Sequence, residues 1–251
     1  MSTPTTRPLR AWAAFGRNDL RGTYRDPLLV MIVLAPVIWT VGTAVLIPRL
    51  SVALAERYDF DLVPYYPLVV TGLLLLTSIV VVGGLAAFLV LDEIDAGTLT
   101  ALRVTPVPLT SFFGYRAATV VAITTVYVTA TIPATGLLPA VPAWPLIPIG
   151  LVGGLTSVVT MLLIVAVASN KVQGIAMLRL LGLLIAGIPC LAWFLEPPAD
   201  LAFGVLPPYW AAKAFWVACG GGTWWPYLAG GVVVNVAAGW PLLRRFVAKN
   251  A

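Results

Sequence analysis

Charged residues are so sparse along this chain that the uncharged runs between them define its elements. A helix crosses hydrocarbon with roughly 20 apolar residues, because every backbone polar group in lipid must be paired inside the segment. Leu28 to Pro48 is an uncharged run of 21 residues and predicts a first span over 28–48. Leu62 to Leu91 predicts a second over 66–91. Ala117 to Asn170 is uncharged for 54 residues, too long for one helix, and Pro139, Pro142, Pro145 and Pro148 around Trp144 mark a hairpin within it. That gives spans over 113–138 and 146–168. The fifth is placed at 174–195, with Arg179 near its inner end where it can snorkel, and the sixth at 227–243.

Composition turns these segments into a single fold class. The 251 residues are 60% hydrophobic and 10% charged, with mean hydropathy +0.98, which points to a bilayer as solvent. The expectation is an all-α integral membrane protein, one transmembrane domain over 1–251. A basic N-terminus before an apolar block resembles a signal peptide, but the block is too long and Ile47-Pro48-Arg49 offers no small-residue cleavage site.

Orientation follows from arginine and lysine. Six spans put both ends on one side, with Arg7, Arg10, Arg17, Arg21, Arg25, Arg103, Arg116, Lys171, Arg179, Arg244, Arg245 and Lys249; Arg49, Arg57 and Lys213 face the other. Both termini are therefore expected in the cytoplasm. Trp144, Trp193, Trp210, Trp216, Trp224 and Trp225 fall near the outer boundary, as an interfacial belt does. Over 8–24, Arg10, Arg17 and Arg21 oppose Trp12 and Phe15 at helical spacing, which predicts a helix lying in the inner headgroup layer against membrane lipid. A plain basic flank is the alternative.

The chain has no histidine, which removes Ser-His triads, HExxH zinc sites and histidine acid–base chemistry together. Catalytic and metal sites are expected to be absent, and nothing suggests nucleic acid. Cys190 and Cys219 read as small apolar fillers.

The most informative stretch follows the second span: Asp92-Glu93-Ile94-Asp95-Ala96-Gly97-Thr98-Leu99-Thr100-Ala101-Leu102-Arg103-Val104-Thr105-Pro106. Thr98 suits a helix N-cap, Asp95 places negative charge just before it, and Leu99 and Leu102 share a face. Pro106 and Pro108 stop the helix. An apolar tip held at the membrane surface invites a docking partner.

This run resembles the signature loop of ABC-2-type transport permeases, where an acidic pair precedes Gly-Thr, a Leu follows and Thr-Pro or Ser-Pro closes the segment. Arg17-Asn18-Asp19-Leu20-Arg21 with Arg25-Asp26-Pro27 before an apolar span also matches, as does Leu206-Pro207-Pro208-Tyr209-Trp210 before the last span. The resemblance covers nearly the whole chain. It departs where the family often places a basic residue between its acids and this chain has Ile94. Within the family the chain is similar to mycobacterial permeases described as fluoroquinolone exporters.

The resemblance implies a bacterial plasma-membrane exporter subunit without an ATPase site of its own. No G-x-x-x-x-G-K-[ST] run occurs, and ATP with Mg is expected on a partner ATPase subunit, beside a second permease, identical or homologous. Glu93, Asp95, Gly97, Thr98, Leu99, Leu102 and Pro106 are then the candidates for coupling to that ATPase. For Glu93 and Asp95, ordinary solvated loop charge weighs equally.

Thr124, Tyr127, Thr131 and Thr135 share one face of the third span and, with Asn235 of the sixth, are candidates for a substrate path. Hydroxyls bonded to their own backbone or to neighbouring helices are the more frequent arrangement. Gly150 and Gly154 form G-x-x-x-G, and Gly182 with Ala186 a weaker version, for packing inside the subunit or across a dimer. Tyr209, Trp210, Phe215 and Trp216 lie on a short helix opened by Pro207-Pro208 and ended by Gly220-Gly221-Gly222; by resemblance this is an outer re-entrant hairpin and gate. The expected cargo is a drug or antibiotic. A lipid or polysaccharide exporter is the alternative, as is a secondary transporter, although no acid falls inside a span.

Overall fold

The structure is a computed structural model describing residues 27–96, 109–139 and 141–250, and all regular structure among them is helical. Among the described residues, six helices are long and apolar enough to cross a membrane. The first runs Pro27–Tyr58, the second Val63–Asp95, the third Leu109–Ala134, the fourth Leu146–Val167, the fifth Lys171–Phe194 and the sixth Trp225–Asn250. A shorter helix, Pro207–Cys219, precedes the last and is called the outer helix after the side on which the sequence leads one to expect it.

The helix ends obey local chemistry that the apolar runs do not show. The first helix does not stop at Pro48 but carries Pro36 and Pro48 inside it. Proline removes one intrahelical donor, whereas Ala53-Leu54-Ala55-Glu56-Arg57 beyond it are strong helix formers. The stop comes at Asp59, whose φ of 50° and N–H bond to the Ala55 carbonyl (3.1 Å) form a left-handed cap. The third helix likewise ends at Ala134, short of 138, because Gly136 adopts φ 67° and donates to the Pro133 carbonyl. The fifth begins earlier than 174. Asn170 Oδ1 accepts from Gln173 N–H (3.0 Å), and Gln173 Oε1 accepts from Ser169 N–H (2.9 Å), a reciprocal cap.

The second and fourth helices form the centre: 78% and 67% of their apolar windows are buried, against 11% for the first and sixth. In lipid, apolar surface alone does not pull helices together, so small residues that let backbones meet decide the pairing. A Cβ added at Gly154 would lie 2.7 Å from Val121 Cα, and one at Gly150 2.9 Å from Thr125 Cα. The G-x-x-x-G face is therefore spent inside the subunit, against the third helix. Gly182 meets nothing within 4 Å. Cys190 and Cys219 are free thiols.

Candidate functional site

At its C-terminal end the second helix is tied to two others. Glu93 Oε1 accepts from Arg116 Nη2 of the third helix at 3.1 Å, and Asp92 Oδ2 accepts from Lys171 Nζ of the fifth at 3.1 Å. The two pairs differ in environment: Arg116 and Glu93 are 2% and 14% exposed, whereas Asp92 is 42% exposed. At the ends of the third and sixth helices, Phe113 and Phe246 meet edge to face with centroids 4.7 Å apart. The last turn before residue 97 is thus fastened to the starts of two neighbouring spans. Asp95 is exposed. Gly97, Thr98, Leu99, Leu102, Pro106 and the 8–24 segment lie outside the described residues.

The threonine face is occupied by packing bonds. Thr124 Oγ1 and Ser157 Oγ lie 3.0 Å apart, joining the third and fourth helices. Thr131 donates to the Tyr127 carbonyl and Thr135 to the Ile132 carbonyl, both at 2.7 Å. Such internal bonds satisfy a hydroxyl in an apolar medium without a second helix. Tyr127 is half-buried. Asn235 is buried, with Nδ2 donating to the Gly231 carbonyl at 2.8 Å. Thr131 borders a groove of about 420 Å³ between the first and third helices, with Val37, Thr40, Val41, Val45 and Ala130.

The outer helix is tightly built. Tyr209 and Phe215 are fully buried and Trp216 nearly so. Trp216 Nε1 donates to Thr71 Oγ1 of the second helix (2.7 Å), and Trp210 Nε1 to the Gly204 carbonyl (2.8 Å). Trp210 lies against Gly231, where an added Cβ would sit 2.9 Å from its own. Beneath the aromatics is an ion pair: Lys213 Nζ lies 2.6 Å from Asp200 Oδ2, which also accepts from Tyr209 OH at 3.0 Å. Burial pushes the Asp200 carboxyl up, but the bonds from Lys213 and Tyr209, the Lys213 charge and a Leu201 backbone N–H outweigh it. The carboxyl ends below the ordinary carboxylate range. Burial and the neighbouring carboxylate both raise the Tyr209 phenol.

The profile of the family described as "Fluoroquinolones export permease protein Rv2686c-like" matches residues 19–243. The chain belongs to this family of export permeases. Two Mycobacterium tuberculosis proteins are each 68% identical to it over 242 residues, covering 96% of both chains. They are the fluoroquinolones export permease proteins MT2760 (strain CDC 1551 / Oshkosh) and Rv2686c (strain ATCC 25618 / H37Rv). No solved structure matches the chain significantly.

This permease is a multi-pass membrane protein, and among its described residues no group of three or more His, Cys, Asp or Glu is placed to hold a metal. Three of its best-built contacts escape a reading by residue type. Arg116 and Lys171 look like topology markers, yet each holds an acid of the second helix. Asp200 and Lys213 look like loop charges on the outer side. The available signal was positional: acids closing one span, and bases opening the next spans on the same face, are held at the same depth.

Proposed function

We propose that this permease is the membrane-spanning subunit of an ATP-driven exporter that carries an amphipathic drug out of a bacterial cell, powered by a separate ATPase subunit. The observation that carries the reading is the 68% identity, over 96% of both chains, with proteins named fluoroquinolone export permeases. Both termini lie in the cytoplasm of a plasma-membrane protein, in keeping with the arginine distribution. The chain has no P-loop run, so ATP and Mg are held by the partner. A second permease, identical or homologous, completes the machine.

The loop over 97–106 is the docking element, with Leu99 and Leu102 as its apolar tip and Gly97, Thr98 and Pro106 shaping it. Its anchorage supports this role. A push on the loop meets a helix end bonded through Glu93 and Asp92 to the third and fifth helices, so force reaches three spans at once. Asp95, exposed one turn on, is available to the ATPase surface. The groove beside Thr131 is the stretch of the threonine face open to cargo, and the outer helix with Tyr209, Trp210, Phe215 and Trp216 is a re-entrant cap over the exit.

The test is export from inside-out vesicles holding the permease and its ATPase. Uptake of a fluoroquinolone is expected only with hydrolysable ATP. Equal accumulation without the ATPase subunit overturns the reading in favour of a secondary transporter.

A further inference from the structure

Beside the outer helix, a pocket of about 230 Å³ opens between the end of the fifth helix, at Ala192 and Trp193, and Lys213, Trp216 and Val217. Its walls are two indoles that meet edge to face, with centroids 5.2 Å apart and planes at 82°. Trp216 cannot swing away, because its N–H is held by Thr71 Oγ1. Thr71 in turn donates its own hydroxyl to the Pro67 carbonyl.

Lys213 is the one charged side chain among the described residues lining this pocket. Long ammonium side chains at a membrane edge normally snorkel to water, but this one is 14% exposed and fastened. Asp200 Oδ2 takes one of its three N–H groups, and the Tyr227 ring lies 5.9 Å from Nζ. Two donors stay available for a guest. The other lining side chains offer the Trp193 indole N–H and apolar surface, with no acceptor and no negative charge. A cationic guest would meet the ammonium head-on. A flat aromatic ring bearing an anionic acceptor meets indole surface and a positioned cation together.

We propose that this pocket is an exit-side binding site for planar aromatic carboxylates, with Trp193 and Trp216 taking the ring and Lys213 Nζ the carboxylate. Asp200 is a positioning residue: it holds the ammonium at the pocket wall. A drug-sized ligand usually fills at least roughly 300 Å³. The pocket therefore takes the ring and its carboxylate and leaves further substituents outside. The proposal rests on the export reading and deepens it, since the fluoroquinolones that name the relatives are flat bicyclic keto acids.

The experiment is equilibrium dialysis of the full chain in lipid nanodiscs against norfloxacin and against its methyl ester, which keeps the ring and the piperazinium and loses only the carboxylate charge. Wild type is expected to bind the acid about tenfold more tightly than the ester, the scale of one charged hydrogen bond. The double variant Asp200→Asn/Lys213→Met removes both charges without leaving one buried alone, and is expected to bind acid and ester equally. Lys213→Arg should keep the preference, and Trp193→Leu should weaken both ligands alike. Equal affinity of wild type for acid and ester overturns the proposal whether or not any variant folds, as does a preference that survives in a folded double variant. Vesicles that export norfloxacin with ATP yet show no acid preference sink this inference alone. Vesicles with no ATP-dependent export sink the export reading instead.

Discussion

Two ion pairs at the C-terminal end of the second helix differ in what their loss costs, because they differ in burial. Arg116 is 2% exposed, so Arg116→Leu leaves Glu93 in a poorly solvated place and should cost about 3–5 kcal/mol, with most of it recovered when Glu93→Leu is added. Asp92 is 42% exposed, so Lys171→Leu should stay within about 1 kcal/mol. Thermal unfolding in detergent measures both, and equal losses would contradict the burial argument. Glycines give a second contrast. Gly154→Ala forces a methyl to 2.7 Å from the Val121 backbone and should destabilise by about 1–3 kcal/mol. Gly182→Ala meets open space and should be neutral or stabilising by about 0.5–1 kcal/mol, since a helical glycine gives way to a better helix former. The sequence shows both glycines at packing spacing; only the neighbouring backbone tells them apart.

At the scale of elements, the outer helix depends on an ionised carboxylate. Asp200 titrates below its ordinary value in the folded protein, so it adds stability that is fully present above the unfolded pKa and lost as pH falls through the folded one. Hydrogen-exchange protection over Pro207–Cys219, the observed rate corrected for the intrinsic pH dependence of amide exchange, should therefore be flat from about pH 8 to 5 and fall only below about pH 4, the unperturbed carboxylate range. Asp200→Asn should abolish that acid step. The proposed docking segment answers to a different readout. Leu99→Asp with Leu102→Asp should lower permease-stimulated ATP hydrolysis to the rate of the ATPase alone while membrane insertion persists, and unchanged stimulation would remove the docking role. Element existence was plain from uncharged runs. Element ends were not, because a single residue such as Asp59 or Gly136 closes a helix through its own φ and one backbone bond, whatever the hydropathy around it.

As a whole, the molecule is an inner pair of helices wrapped by looser ones, and its first and sixth helices expose most of their apolar surface. Under the proposed function, the energy for export comes from a partner ATPase. The tagged permease should bring a soluble ATPase with it when purified in mild detergent, and a partner ATPase whose phosphate-loop lysine is replaced should leave export at background. Recovery of the permease with normal activity and no nucleotide-hydrolysing companion would contradict that arrangement.

Span number and membrane residence were decided by the sequence alone, because the cost of an unpaired backbone group in hydrocarbon acts on each segment by itself. The class of machine was legible too, in short motifs lying in the right order. Which helices touch, where the G-x-x-x-G face is used, and that Asp200, Tyr209 and Lys213 share one buried cluster were decided only by the tertiary structure. In lipid every apolar face is equally content, so helix partners are chosen by close backbone approach and by polar groups meeting at the same depth, and neither can be read from one segment alone.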